Sequence, residues 1–168
     1  MSRPLIRTAQ LEDAPSIASL TIELGYAASI EETSRWLVEL CDSPIHRVLV
    51  AVSAQDGLWG WVLIERRISL EAGIRAEISG LVVGARFRRT GVGTVLITAA
   101  EQWAIEQGIP KIHVSSDMSR NESHAFYLSL GYSHTKTSHH YDKLLPNDQK
   151  EGQYGSSHGD RQENHNPG

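Results

Sequence analysis

Arg86, Arg88 and Arg89 crowd one short stretch of the chain, and Gly91 and Gly93 follow at once, ahead of an apolar pattern with helical period. That order points to anion chemistry. The first amides of a helix have no intrahelical acceptor and lie at the positive end of its dipole, so they bind phosphate where no side chain blocks the approach. Gly91 and Gly93 remove those side chains, and guanidiniums on the same loop suit a pyrophosphate better than a single carboxylate. Two familiar glycine-rich phosphate loops do not fit. A P-loop needs Lys and then Ser or Thr after its last glycine, and no such pair follows Gly93; a dinucleotide fingerprint needs a third small residue where this chain has Leu96, and a place in the first strand–helix unit. The bland alternative is a turn with solvated arginines, but glycine spacing, charge and position before a helix agree on the anion site.

Charge supports a local site. The formal net charge of -4 divides unevenly: residues 1–65 hold 4 basic and 9 acidic side chains, 66–90 hold 6 and 2, 91–145 hold 4 and 5, and 146–168 hold 2 and 4. A short cationic segment in an acidic chain fits one anionic ligand and argues against a nucleic-acid surface, which would be broader. The 168 residues, 40% of them hydrophobic, predict one soluble domain with a sizeable core and exclude collagen-like, disulfide-rich and wholly disordered classes. Cys41 is the single cysteine, so no internal bridge forms. Met1-Ser2-Arg3-Pro4 lacks the apolar run of a signal peptide, and no stretch approaches the roughly 20 apolar residues that span a bilayer. The expected place is the cytoplasm, without a membrane. His139 and His140 are adjacent, on opposite faces of an expected strand, while His158 and His165 fall in the tail; no zinc spacing appears and no metal is expected.

The elements that must position the loop alternate strand and helix. Leu5-Ile6-Arg7 reads as a first strand. A helix from about Asp13 follows, with Pro15 in its first turn and Ile17, Leu20 and Leu24 on one face. Ser29 and Glu32 form a capping-box pattern opening a second helix, whose expected buried stripe is Thr33, Trp36, Leu37 and Leu40. Strands are predicted over 47–52 and 58–64, joined through Asp56-Gly57, and over 76–83, after a turn at Glu71-Ala72-Gly73. Val92, Val95, Leu96, Ala99 and Trp103 set the long helix, closed by Gly108 and Pro110. Residues 111–115 give a strand that must pair in parallel after this crossover. Asn121 to Leu130 is a short helix ended by Gly131, residues 132–145 hold strand material with a turn, and 146–168 are too polar to pack and read as a disordered tail. The predicted class is mixed α/β, in the order β-α-α-β-β-β-α-β-α-β, unlike a doubly wound fold.

Arg88-x-x-Gly91-x-Gly93 resembles the acyl-CoA-binding motif of the GNAT superfamily of N-acetyltransferases, Arg/Gln-x-x-Gly-x-Gly/Ala. A second element agrees in order: Asn121, Ala125, Phe126, Tyr127, Gly131 and Tyr132 look like the family's block from Asn through Phe-Tyr to Gly-Tyr, with one residue fewer between Ala and Phe. The resemblance covers roughly residues 3–145. It implies the GNAT fold and acetyl-CoA as cosubstrate. The backbone of Leu81, Val82 and Val83 would bind the pantetheine arm like an added strand; Arg88, Arg89, Thr90, Gly91, Val92, Gly93 and Thr94 would hold the pyrophosphate; Asn121 and Tyr127 would meet the cofactor from the last helix. Ala85 stands where the family often has Pro, and Arg89 where it often has Gly, so Arg89 either reaches the ribose phosphate or points to solvent.

The reaction so implied is direct attack of an amine on a thioester within a ternary complex, needing a neutral amine and a proton for the departing thiolate. Tyr127 is the candidate acid, its phenol being protonated at neutral pH; the competing reading is a core tyrosine. Glu77 sits where many family members carry the carboxylate that takes the amine proton; the competing reading is an exposed strand carboxylate. Alternation puts Glu77, Ser79 and Leu81 on one face until a bulge intervenes. The acidic excess of residues 1–65 suits a cationic acceptor, with Glu23, Tyr26, Glu31, Glu32 and Trp36 as substrate candidates, although each alone also reads as a solvated face and Trp36 as core. The expected substrate is a small-molecule amine, with a protein N-terminus or lysine, or a silent acyl-CoA-binding sensor, as alternatives. A homodimer is compatible, since dimers are common among similar proteins.

Overall fold

Strands with an apolar face on each side must be covered twice, and two helical layers do so. A computed structural model describes residues 3–116 and 121–146. Their elements are β1 (Leu5–Thr8), α1 (Ala14–Glu23), α2 (Ile30–Asp42), β2 (His46–Ser53), β3 (Gly57–Ser69), β4 (Gly73–Val83), α3 (Val92–Glu106), β5 (Ile112–Val114) and α4 (Asn121–Ser129), with single 3-10 turns at Leu11–Asp13 and Ala85–Phe87. The sheet runs β1-β2-β3-β4-β5, antiparallel throughout except for the parallel pairing of β4 with β5.

The two faces carry different cores. Ala51, Val62, Ile64, Ala76 and Ile78 pack against Val92, Leu96, Ile97, Ala100 and Trp103 of α3. Val48 and Val50 pack against Ala14 and Ile17 of α1 and Leu37 of α2. Full burial of each such aliphatic side chain contributes about 1.5–3 kcal/mol. The α3 stripe lies slightly to one side of the expected one: Val92, Leu96 and Trp103 are buried, Val95 and Ala99 are half-buried, and Ile97, Ala100 and Ala104 complete the face.

The predicted bulge is in β4. Leu63 pairs with Gly80 and Ile64 with Ile78, leaving Ser79 unpaired. The extra residue reverses the alternation. Ala76 and Ile78 before it, and Leu81 and Val83 after it, all join the α3-side core. Glu77 therefore faces the α1/α2 side, and Glu77 and Leu81 do not share a face.

Two expectations are corrected. Trp36 is 55% exposed and not part of the α2 core; the buried stripe narrows to Thr33, Leu37 and half-buried Leu40, and Trp36 stands at its margin. The last predicted strand does not form among the described residues: 132–146 contain neither helix nor strand. Between Tyr132 and Tyr141 no large apolar side chain occurs, so alternation has nothing to bury there. The placing of His139 and His140 on opposite strand faces falls with it. The described residues form two units, divided between Ser133 and His134; in the second, Thr137 bonds His134 and Ser138 bonds His140. The expected tail lies, apart from Pro146, outside the described residues. Among the described residues no helix is long and apolar enough to cross a membrane.

Arg7 and Asp13 lock β1 to the entry of α1. Both Arg7 Nη atoms donate to Asp13, at 2.7 and 2.9 Å, and the Gln10 amide donates to the same carboxylate at 2.7 Å. The Arg7 hydrogen bond, with help from the Gln10 amide, lowers the Asp13 carboxyl below its usual range against the opposing effect of burial. Because its folded pKa is depressed, the lock stabilises fully above the unfolded carboxylate range and weakens as pH falls through the folded value. Asp13→Asn should cost about 1–3 kcal/mol at neutral pH and remove part of the acid-side decline in stability. Urea unfolding at several pH values checks this; equal stabilities and slopes would contradict it.

Candidate active site

β4 ends at the arginine- and glycine-bearing loop that the sequence marks as a candidate anion site. Leu81, Val82 and Val83 pair on one edge with Val62, Trp61 and Gly60 of β3. On the other edge β5 reaches only Ala76, Glu77 and Ile78. Among the described residues, therefore, no strand pairs with the outer edge of Leu81–Val83, and its backbone groups are placed to receive an extended ligand in strand fashion.

The chain beyond Val83 is pinned before it turns into α3. Phe87 stacks on Trp59 with ring centroids 4.5 Å apart and planes 10° from parallel. The Ala85 amide donates to the Glu23 carboxylate at 3.0 Å, and the Thr90 hydroxyl donates to the Phe87 carbonyl. Arg88 Nε donates to the Val83 carbonyl at 3.4 Å, tying the arginine to the end of β4. Arg86 turns elsewhere: its guanidinium lies 5.3 Å from the Phe87 ring centroid and 3.8 Å from Asp56.

Gly91 caps α3 in the left-handed conformation, φ 87°, and no side chain caps the helix. The first intrahelical bond runs from the Val95 amide to the Gly91 carbonyl at 3.1 Å. The amides of Val92, Gly93 and Thr94 are then left to an external acceptor. A Cβ on Gly91 would meet nothing within 4 Å, so its requirement is conformational and the approach is open. Gly93 is constrained by packing: a Cβ there would stand 3.2 Å from Phe126 Cζ on α4. Arg89 is the single described non-glycine residue with positive φ, 62°, which accounts for the family's frequent glycine at this position. Its guanidinium reaches Glu122 of α4 at 3.5 Å, both side chains being exposed.

The Gly93–Phe126 contact brings α4 against the start of α3, and Tyr127, next to Phe126, packs on the α3-side core. Tyr127 is half-buried, edge-on to Phe126 at 5.2 Å and to Tyr132 at 5.7 Å. Burial raises its phenol above the ordinary tyrosine range. Tyr132 in turn donates to Glu101 of α3 at 3.0 Å, fixing the end of α4 against α3. Asn121 opens α4, and its side chain lies outside the described residues.

On the opposite face Glu77 is 9% exposed and held by two arginines that sequence reasoning did not single out, Arg67 at 3.0 Å and Arg75 at 3.1 Å. Cross-strand register was the missing signal, because Arg67 pairs with Arg75. Trp61 was missed as well: its ring lies over Gly80, where a Cβ would be 2.7 Å from Trp61 Cζ3. The acceptor candidates do not gather at one point. Glu23 serves the Ala85 amide; Tyr26 and Glu31 are exposed; Trp36 lines an open cleft with Glu39, Leu40, Ser43 and His46. The capping box of α2 is half made, Ser29 Oγ accepting from the Glu32 amide at 3.1 Å. Among the described residues no group of three or more His, Cys, Asp or Glu is arranged to hold a metal.

Comparison with known proteins agrees with this geometry. The acetyltransferase (GNAT) family model matches residues 16–132. The chain is 28% identical over 137 residues to the aminoglycoside N(6')-acetyltransferase type 1 of Klebsiella aerogenes, covering 78% of this chain and 90% of that one. It is 34% identical over 116 residues to the uncharacterized N-acetyltransferase YhdJ of Bacillus subtilis strain 168, covering 69% and 78%. The solved structure of AAC(6')-Iy with the bisubstrate analog CoA-S-monomethyl-acetylneamine superposes with TM-score 0.75 at 19% identity, over 86% of this chain and 100% of that one. With the loop, the open β4 edge and the family match in agreement, the chain belongs to the GNAT family of acetyl-CoA-dependent N-acetyltransferases.

Proposed function

We propose that this enzyme moves the acetyl group of acetyl-CoA to a primary amine of a small molecule, by direct attack with both substrates bound. The carrying observation is the uncapped start of α3, with Gly91 open and Gly93 against Phe126, set beside the unpaired edge of Leu81–Val83. These residues fit CoA: the amides of Val92, Gly93 and Thr94, with Arg88 and Arg89, would hold its pyrophosphate, and the Leu81–Val83 backbone its pantetheine arm. Thr90, whose hydroxyl is bound to the Phe87 carbonyl, contributes through the shape of the turn. Acetyl-CoA bound there supplies the activated acyl group.

The chain's own residues then manage protons. Glu77 accepts one from the acceptor ammonium, directly or through water, and frees the nitrogen lone pair. Tyr127 Oη, kept protonated by burial, delivers a proton to the departing sulfur. Residues 1–65, with 9 acidic side chains against 4 basic, favour a cationic acceptor. The aminoglycoside acetyltransferases among the relatives make amino sugars the first acceptors to try, with polyamines and amino acids next.

Thiol release from acetyl-CoA across an amine panel tests the reading. Turnover on a small amine supports it; acetylation of protein N-termini or lysines alone would redirect it, and cofactor binding without turnover on any amine would indicate a sensor. Tyr127→Phe should lower kcat by roughly a hundredfold with little change in CoA affinity, and an unchanged rate would remove Tyr127 from the mechanism. Gly91→Glu, which puts bulk and negative charge at the α3 N-terminus, should weaken CoA binding by roughly tenfold or more. Calorimetry showing wild-type affinity would overturn the phosphate placement.

A further inference from the structure

Glu77 is neither a free surface carboxylate nor an isolated buried one. Nη1 of Arg67 donates to its Oε1 at 3.0 Å and Nη2 of Arg75 to its Oε2 at 3.1 Å. The two arginines are direct cross-strand partners. Like charges so placed repel, so the pair is stable only around the carboxylate between them. Glu77 in turn is nearly withdrawn from water, where a charge is costly unless it is paired and hydrogen-bonded. Its other charged or titratable neighbours in the sheet are Glu65 of β3 and His113 of β5, both Cα partners of Glu77. Glu65 is engaged by His46 of β2 at 3.0 Å. Arg67 and Arg75 are the guanidiniums hydrogen-bonded to Glu77. A carboxylate has about four lone-pair sites, and the two guanidiniums use two.

We propose that Arg67 and Arg75 are positioning residues for the proton transfer: they fix the orientation of the Glu77 carboxylate in its dry setting, leaving an unshared lone pair for the acceptor ammonium or a relaying water. The inference rests on the reading of Glu77 as the base. The ammonium gives one proton to Glu77, and the neutral amine forms the N–C bond as the C–S bond breaks. Tyr127 gives its proton to sulfur and is restored by the proton that the acylated nitrogen sheds. Glu77 releases its proton to solvent, so the sum is ammonium plus thioester to amide, thiol and one proton.

The test compares Arg67→Met, Arg75→Met, Arg75→Lys and Glu77→Gln with the wild type, measuring kcat, KM and the pH profile on an amine that the wild type acetylates, with urea unfolding alongside. Arg67 has a side chain 52% exposed, so its Met variant remains informative should Arg75→Met fail to fold. Either Met variant should lose roughly tenfold or more in kcat and leave KM for acetyl-CoA within roughly twofold. Arg75→Lys should recover most of the loss. Wild-type kcat and pH profile in both Met variants, with Glu77→Gln impaired, would overturn the positioning role while leaving Glu77 as the base. Losses that follow the unfolded fraction, with no rescue by Lys, would overturn it too. Should Glu77→Gln be as active as the wild type, the base reading itself fails, and the clamp's role with it.

Discussion

The opening amides of α3 are the constraint on which the rest of the structure depends. A helix start lacks internal partners for its first N–H groups, and here no side chain supplies one. Holding those amides at the end of an unpaired strand edge takes several agreements at once. Phe87 on Trp59 anchors the approach, Gly91 turns the chain through positive φ, and Gly93 admits the Phe126 ring. Arg89 accepts a left-handed conformation that costs a non-glycine residue about 1–2 kcal/mol and keeps its charge beside the loop. Backbone strain is thus traded for cationic character beside the start of α3.

The bulge at Ser79 does the complementary work on β4. It lets Leu81 and Val83 continue the α3-side core while Glu77 turns to the α1/α2 side. One strand therefore carries at its end an edge that no described strand pairs with, and a carboxylate on the opposite face two residues before the bulge. The charge division along the chain follows the same plan: the excess of arginine in residues 66–90 includes Arg88 and Arg89 at the loop, but also Arg67 and Arg75 at Glu77. Two of the six arginines in that segment hold a carboxylate of the enzyme itself.

Local patterns announced most of this. The glycine pair, the helical period from Val92 to Trp103 and the Asn121-to-Tyr132 block are all short-range signals, and each lies where its element forms. What escaped was set by tertiary register. The Arg67–Arg75 clamp depends on which residues of β3 and β4 face each other, and the ring of Trp61 over Gly80 on the same pairing. Glu23 was legible as an acidic candidate at the end of α1, but its hydrogen bond to the Ala85 amide spans 62 positions in the chain. Trp36 shows the reverse error: hydrophobic identity suggested burial at a place where α2 presents only the margin of its stripe. The strand expected within 132–145 rested on sparse aromatic and aliphatic residues separated by a polar run, which is too little alternation to pair.

The central claim is that CoA is held by the first amides of α3 and the adjoining edge of β4. Titration of the isotopically labelled protein with CoA, followed by backbone amide chemical shifts, tests it most directly. The amides of Val92, Gly93 and Thr94 should move farthest, with Leu81, Val82 and Val83 following the same saturation curve. Saturation of the protein by CoA with those amides unmoved, or their failure to respond at any CoA concentration, would contradict the account.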